Sequence, residues 1–214
     1  MAMVRGKFKV AYGAVVALAA TGIGILPAHA APTSAQKHVA TSSADATVAS
    51  APGRSSTYLT FKINRHNPSD SRLSLVYVNM VNPDHPHTST VASWRAGSGT
   101  GSTNSCLPNR GVLPRGTYPI KAYYPHHNGG LHGVNGISWY IGDKRCKPGG
   151  TNRTALFIHS EMLPSGGQGS AEPYRWNGNS DYKSNGCIKL KPSDIRELQG
   201  YRAKFPRPTQ LYVS

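Results

Sequence analysis

The stretch "DYKSNGCIKL", Asp181 to Leu190, holds the residue with the most chemistry to offer. Cys187 is one of three cysteines in 214 residues, set between Gly186 and the apolar run Ile188-Lys-Leu190. That placement suits an exposed nucleophile at a strand edge, and a bridged or buried cysteine fits the same spacing equally well. A free thiol has a pKa of about 8.5 and needs a base to become a nucleophile at neutral pH. His159 ends the apolar run Ala155-Leu-Phe-Ile158 and can stand at a strand rim, where a plain polar strand end is the ordinary alternative. Gly186 keeps a side chain away from the backbone amides beside the sulfur. Cys106 in "GSTNSCLPNRG" and Cys146 in "GDKRCKPGG" lie among turn residues and suit a bridge. Closing a loop of about 40 residues would add roughly 4 kcal/mol. His126, His127 and His132 in "YYPHHNGGLHG" invite a zinc reading, but no cysteine or carboxylate framework surrounds them. Neither metal nor cofactor is expected.

These residues need strands to hold them. Short apolar runs separated by Gly, Pro, Asn and Ser mark strand candidates at 58–63, 75–81, 91–94, 116–122, 137–141, 155–158, 188–190 and 210–213. One segment reads as a helix: it follows Lys191-Pro192, with Ser193 or Asp194 as cap, Glu197 three residues beyond Asp194, and Gly200 as stop. The expected fold is a mainly β, mostly antiparallel barrel or sandwich with one short C-terminal helix.

The ends and the composition set the context. Arg5, Lys7 and Lys9 precede an apolar run from Val10 to Leu26, and Ala28-x-Ala30 follows, the pattern of a signal peptide cut before Ala31. The run is short and glycine-broken for a membrane anchor, so no transmembrane anchor is expected in the mature chain. Residues 31–56 are Ala, Ser and Thr without apolar periodicity and read as a disordered linker. Residues 57–214 are enough for one domain with its own core. The chain carries +15; removing the three leader cations leaves +12. The basic residues are dispersed and carry no nucleic-acid motif, which points to anionic cell-envelope polymers as candidate partners and away from nucleic acid. The destination is export, to periplasm, cell wall or medium.

Four elements in order carry a family resemblance. "FIHS" and then "SNGCIKL" resemble the histidine and cysteine signature of the L,D-transpeptidase (YkuD-like) catalytic domain. That signature places a histidine at a strand end, then Ser-His-Gly-Cys, an apolar residue and Arg or Asn. "LPRGTYPI" resembles the family's Pro-x-Gly-Thr-aromatic-x-Ile strand, and a helix directly after the cysteine strand completes the pattern, which spans Val91 to Val213. The chain departs from it twice. Asn185 replaces the motif histidine, and the segment from Met162 to Lys183 is longer than usual, either a lid or an inserted surface loop. A branch of secreted antibacterial toxins also lacks that histidine, but its members commonly lack a leader.

The resemblance implies roles. Cys187 would be the nucleophile, His159 its base, and the carbonyl of Ser160 the group that orients the imidazole. Amides of Gly186 and Cys187, with Asn185, would form an oxyanion hole. Ser184 would shape the turn, and Lys189 would take the Arg/Asn position. Apart from the resemblance, the loop placement of Cys106 and Cys146 predicts a disulfide between them, with Cys187 free. The substrate class would be peptidoglycan stem peptides. The competing readings are a non-catalytic envelope-binding module and a secreted peptidoglycan-modifying toxin.

Overall fold

The computed structural model describes residues 54–214. The expected signal peptide and nearly all of the expected linker lie outside them. Alternation of apolar and polar residues decides the first strands. In β1 (Ser56–Lys62), Thr57, Leu59 and Phe61 point inward and are buried. In β2 (Ser71–Asn79), Leu73 and Leu75 do the same, in antiparallel register with β1 and with β3 (His87–Gly97). The chain continues through β4 (Gly116–Pro119), β5 (Ala122–Asn128), β6 (Asn135–Arg145), β7 (Asn152–Ser160), β8 (Ile188–Leu190), α1 (Pro192–Tyr201) and β9 (Gln210–Val213).

Nine strands form one sheet in the order β4-β9-β1-β2-β3-β8-β7-β6-β5. The pairs β1 with β9 and β7 with β8 are parallel, and the others are antiparallel. The sheet is curled into a half-barrel. Lys144 of β6 donates to the carbonyl of Thr117 in β4 at 3.1 Å and lies 4.7 Å from the Tyr118 ring centre, so strands far apart in the order meet. The core includes Phe61, Trp139, Ile158 and Ile188, each at most 1 % exposed. Helix α1 adds Ile195 and Leu198 to it, and Trp94 Nε1 donates to Glu197 Oε2 at 2.8 Å, fixing the helix against β3.

The mainly β fold with one helix is the expected one; four details differ. The run 116–122 divides into β4 and the start of β5, and β5 itself was not expected, because Pro125 and two histidines look like a loop. It is an edge strand with a register shift between Tyr124 and His127, a position where a proline breaks no ladder bond. Strand β3 runs well beyond 91–94, since His87 to Thr90 are polar, with none buried, and carry no apolar signal. Helix α1 begins at Pro192 with Lys191 as cap and no side-chain cap, replacing the expected Ser193 or Asp194. Proline tolerates the first helical position because the missing N–H has no partner there. Gly200 sits inside the last turn, and the helix ends one residue later.

Candidate active site

Strand alternation delivers the reactive groups to one face. In the parallel pair β7/β8, Ile158 lies opposite Ile188 and His159 opposite Lys189. Ile158, Ile188 and Leu190 are fully buried in the core. The alternate residues Phe157, His159, Cys187 and Lys189 line a cleft of about 660 Å³ on the other face. His159 near the end of β7 and Cys187 directly before β8 thus both face this cleft, with Cys187 level with Phe157 in the register of the pair.

The imidazole has a fixed orientation. Its Nδ1 is 3.0 Å from the carbonyl of Ser160, which accepts the Nδ1 proton and leaves Nε2 as the unprotonated nitrogen. Burial, the Lys189 charge and His127 together lower the His159 pKa to about 3, against a smaller upward pull from the Ser160 carbonyl. The ring is therefore neutral at physiological pH. Cys187 is half-buried, with Sγ 3.7 Å from the carbonyl of Ala155. Burial pushes its thiol up, while the Phe157 amide and the charges of Lys189 and Arg153 pull it down. The resting pair is a thiol and a neutral imidazole.

The turn before Cys187 is tied by one hydroxyl. Ser184 Oγ donates to the carbonyl of Cys187 at 2.6 Å and accepts from the amides of Gly186 and Gly99 at 3.1 and 3.2 Å. Here one expectation changes. The Gly186 amide is engaged by Ser184, so it is not a free donor for an oxyanion. Gly186 serves the turn through its conformation: its φ is +117°, and a side chain there would strike Nη2 of Arg153. Asn185, in place of the motif histidine, is exposed and contributes its carbonyl to Arg153 at 2.7 Å.

Lys189 is buried and holds the cleft floor. Its Nζ donates to Glu161 Oε1 and, at 2.9 Å, to the carbonyl of Lys183. Glu161 is the partner the sequence did not reveal, since it stands just past the expected strand. Burial raises its pKa and Lys189 lowers it. Arg153 also escaped notice, because one arginine at the head of a strand carries no motif.

The long segment from Met162 to Lys183 is a folded surface loop. Gln168 bridges its two sides, donating to the Glu161 carbonyl at 2.8 Å and accepting from the Trp176 amide at 2.9 Å. Trp176 packs edge-on against Tyr182 rather than into the cleft; Pro173 and Lys183 are the loop residues that reach it. His127 and His132, from β5 and the turn after it, line the opposite wall, while His126 is exposed outside it. Among the described residues, no three His, Cys, Asp or Glu side chains gather as metal ligands. Cys106 and Cys146 are joined in a disulfide with Cα atoms 5.1 Å apart, and Cys187 is the free thiol.

A family description of the L,D-transpeptidase catalytic domain (YkuD) matches residues 61–203. The chain belongs to that family. No curated protein matches it. Membership of the L,D-transpeptidase family brings peptidoglycan modification as the activity type and cysteine dependence as the family's usual chemistry. No helix among the described residues is long and apolar enough to cross a membrane.

Proposed function

We propose that the protein performs acyl transfer on peptidoglycan stem peptides with Cys187 as nucleophile. The observation that carries this reading is that Cys187 lines the same cleft as an imidazole whose Nδ1 is held by the Ser160 carbonyl. Nε2 of His159 takes the thiol proton as Sγ attacks the carbonyl between the third stem residue and the terminal D-Ala. The tetrahedral oxyanion is met by backbone amides of the turn, with Cys187's own amide the leading donor because that of Gly186 is engaged. One such donor is worth about 3 kcal/mol of transition-state stabilisation. Collapse breaks the peptide bond, His159 returns the proton to the departing amine, and a thioester remains. An amine of a second stem then gives a cross-link; water gives carboxypeptidase or endopeptidase products.

Cationic Lys183 at the cleft suits carboxylate-bearing stems, while the charge of Lys189 is met by Glu161. Export belongs to the same reading: the leader-like N-terminus and the Cys106–Cys146 bridge both suit an oxidising compartment outside the cytoplasm. The mature protein incubated with a tetrapeptide stem should release D-Ala, followed by mass spectrometry, and Cys187→Ala should abolish it. Full release by Cys187→Ala would sink the mechanism. No release by the wild type would favour the envelope-binding module.

A further inference from the structure

Arg153, the second residue of β7, is 3 % exposed, and no carboxylate pairs with it among the described residues. A buried cation without a counter-charge is unfavourable unless every donor is used. The partners of its two terminal nitrogens are backbone carbonyls alone. Nη1 reaches Ser105 at 2.6 Å and Val112 at 3.4 Å; Nη2 reaches Gly111 at 3.1 Å and Asn185 at 2.7 Å. Three of these carbonyls belong to one loop and the fourth to the turn that presents Cys187.

That loop is itself a constrained body. Ser105 precedes Cys106, whose partner Cys146 directly follows β6, and β6 pairs with β7 through Lys144 opposite Arg153. The loop closes internally through Gly111 N to the Leu107 carbonyl at 3.0 Å and Thr100 N to the Arg110 carbonyl at 2.8 Å. Gly186 is the complementary half of the contact: the guanidinium fills the space where any side chain at 186 would sit.

We propose that Arg153 is a positioning residue for the nucleophile, a guanidinium brace that ties the disulfide-stapled loop to the Ser184–Cys187 turn and sets its cation beside the thiolate as it forms. The planar fork is essential to this role. Two nitrogens serve four carbonyls in two directions, which a single ammonium on a flexible stem does not reproduce. The cation and the sulfur also act on each other electrostatically, Arg153 favouring the thiolate. Arg153 does not touch substrate; it acts through the turn.

This inference rests on Cys187 being the acylated thiol, and its test separates the two. Arg153→Met and Arg153→Lys are made in the full chain, with the disulfide verified by non-reducing peptide mapping. Two rates are then read: alkylation of Cys187 by iodoacetamide as a function of pH, and acylation by a carbapenem. Arg153→Met should move the alkylation profile up by about one pH unit, the effect of losing one nearby charge. It should also slow acylation at least about tenfold. Arg153→Lys should keep more of the alkylation profile, since a charge remains, yet still acylate several-fold slower, since the fork is lost. Wild-type profiles and rates in both folded variants would overturn the brace. Should neither variant fold, Cys106→Ser/Cys146→Ser frees the other end of the brace. It should acylate several-fold slower, and an unchanged rate there would equally overturn the proposal. A wild-type protein whose Cys187 takes no carbapenem counts against the proposed function, while the alkylation profile, which needs only a thiol, still reads Arg153.

Discussion

His159 is the residue whose environment decides the pH behaviour of the site. Burial first, then the Lys189 charge, bring its pKa from 6.5 to about 3. Across pH 5 to 8 it is neutral and able to accept a proton. The Cys187 thiol is raised above its ordinary value, chiefly by burial. Iodoacetamide alkylation of Cys187 should therefore keep rising past pH 9, with no step near 6.5. A step near 6.5 that vanishes in His159→Gln would mean a resting thiolate–imidazolium pair and would contradict this assignment. The same shift acts on stability. Between about pH 3 and 6.5 the unfolded chain binds a proton at this position and the folded chain does not, so stability falls as pH drops through that window. The slope is about 1.4 kcal/mol per pH unit at most, and His159→Gln should flatten it in chemical denaturation series at pH 4 to 7.

Two backbone positions beside the sulfur, both at positive φ, make opposite predictions. Gly186 at φ +117° and Ala155 at φ +51° both occupy the region that disfavours side chains. Ala155 stays there because its amide donates to Asp143 Oδ1 at 2.8 Å, which turns the neighbouring strand and aims its carbonyl at Cys187 Sγ. Ala155→Gly relieves strain in place and should hold or raise stability, by up to about 1 kcal/mol. Gly186→Ala meets Arg153 as well as the torsion, and should lower carbapenem acylation by at least about tenfold. Equal tolerance of both substitutions would remove the steric account of Gly186.

The junction of β7 and β8 ends in the Lys189–Glu161 ion pair, which closes the cleft floor. Both side chains are largely out of water, so losing one leaves the other with its desolvation uncompensated. Lys189→Met should destabilise by about 2 kcal/mol, less than for a fully buried pair because Glu161 can take up a proton. Lys189→Met/Glu161→Gln should recover part of that loss in denaturant midpoints; a double variant no better than the single would show that the pair is not what matters there. These two strands also explain how much could be read beforehand. Ile158 and Ile188 announce themselves as core by apolar periodicity, and His159 and Cys187 by type at strand ends. Arg153 and Glu161 carry no such signal. Their roles come from carbonyls and a lysine that the sheet brings together across 28 residues or more of chain. Edge strand β5 was hidden for a local reason, since Pro125 forbids a central strand and says nothing against an outer one. The bond from the Gly186 amide to the Ser184 hydroxyl is a matter of turn geometry, which residue types alone do not specify.

At the scale of the molecule, the Cys106–Cys146 bridge joins the loop that Arg153 ties to the Cys187 turn to the far end of β6, closing a segment of 40 residues that contains β4 and β5. Those two strands are the outer edges of the sheet, each paired on one side only. They are where a half-barrel opens first, because an edge strand has half the ladder of an inner one. A link spanning both therefore restricts the unfolded chain and also the partial openings that release an edge. By the loop-closure estimate the bridge is worth about 4 kcal/mol, a large share of the stability of a domain this size. Cys106→Ser/Cys146→Ser should lower the denaturant midpoint by that order. Its amide exchange should quicken most in β4, β5 and the loop from Gly99 to Val112, with β1 and β2 less affected. Faster exchange spread evenly over the sheet would mean the bridge acts on the unfolded chain alone. Exchange concentrated at the edges and the loop would mean that it also holds the native curl on which the cleft depends.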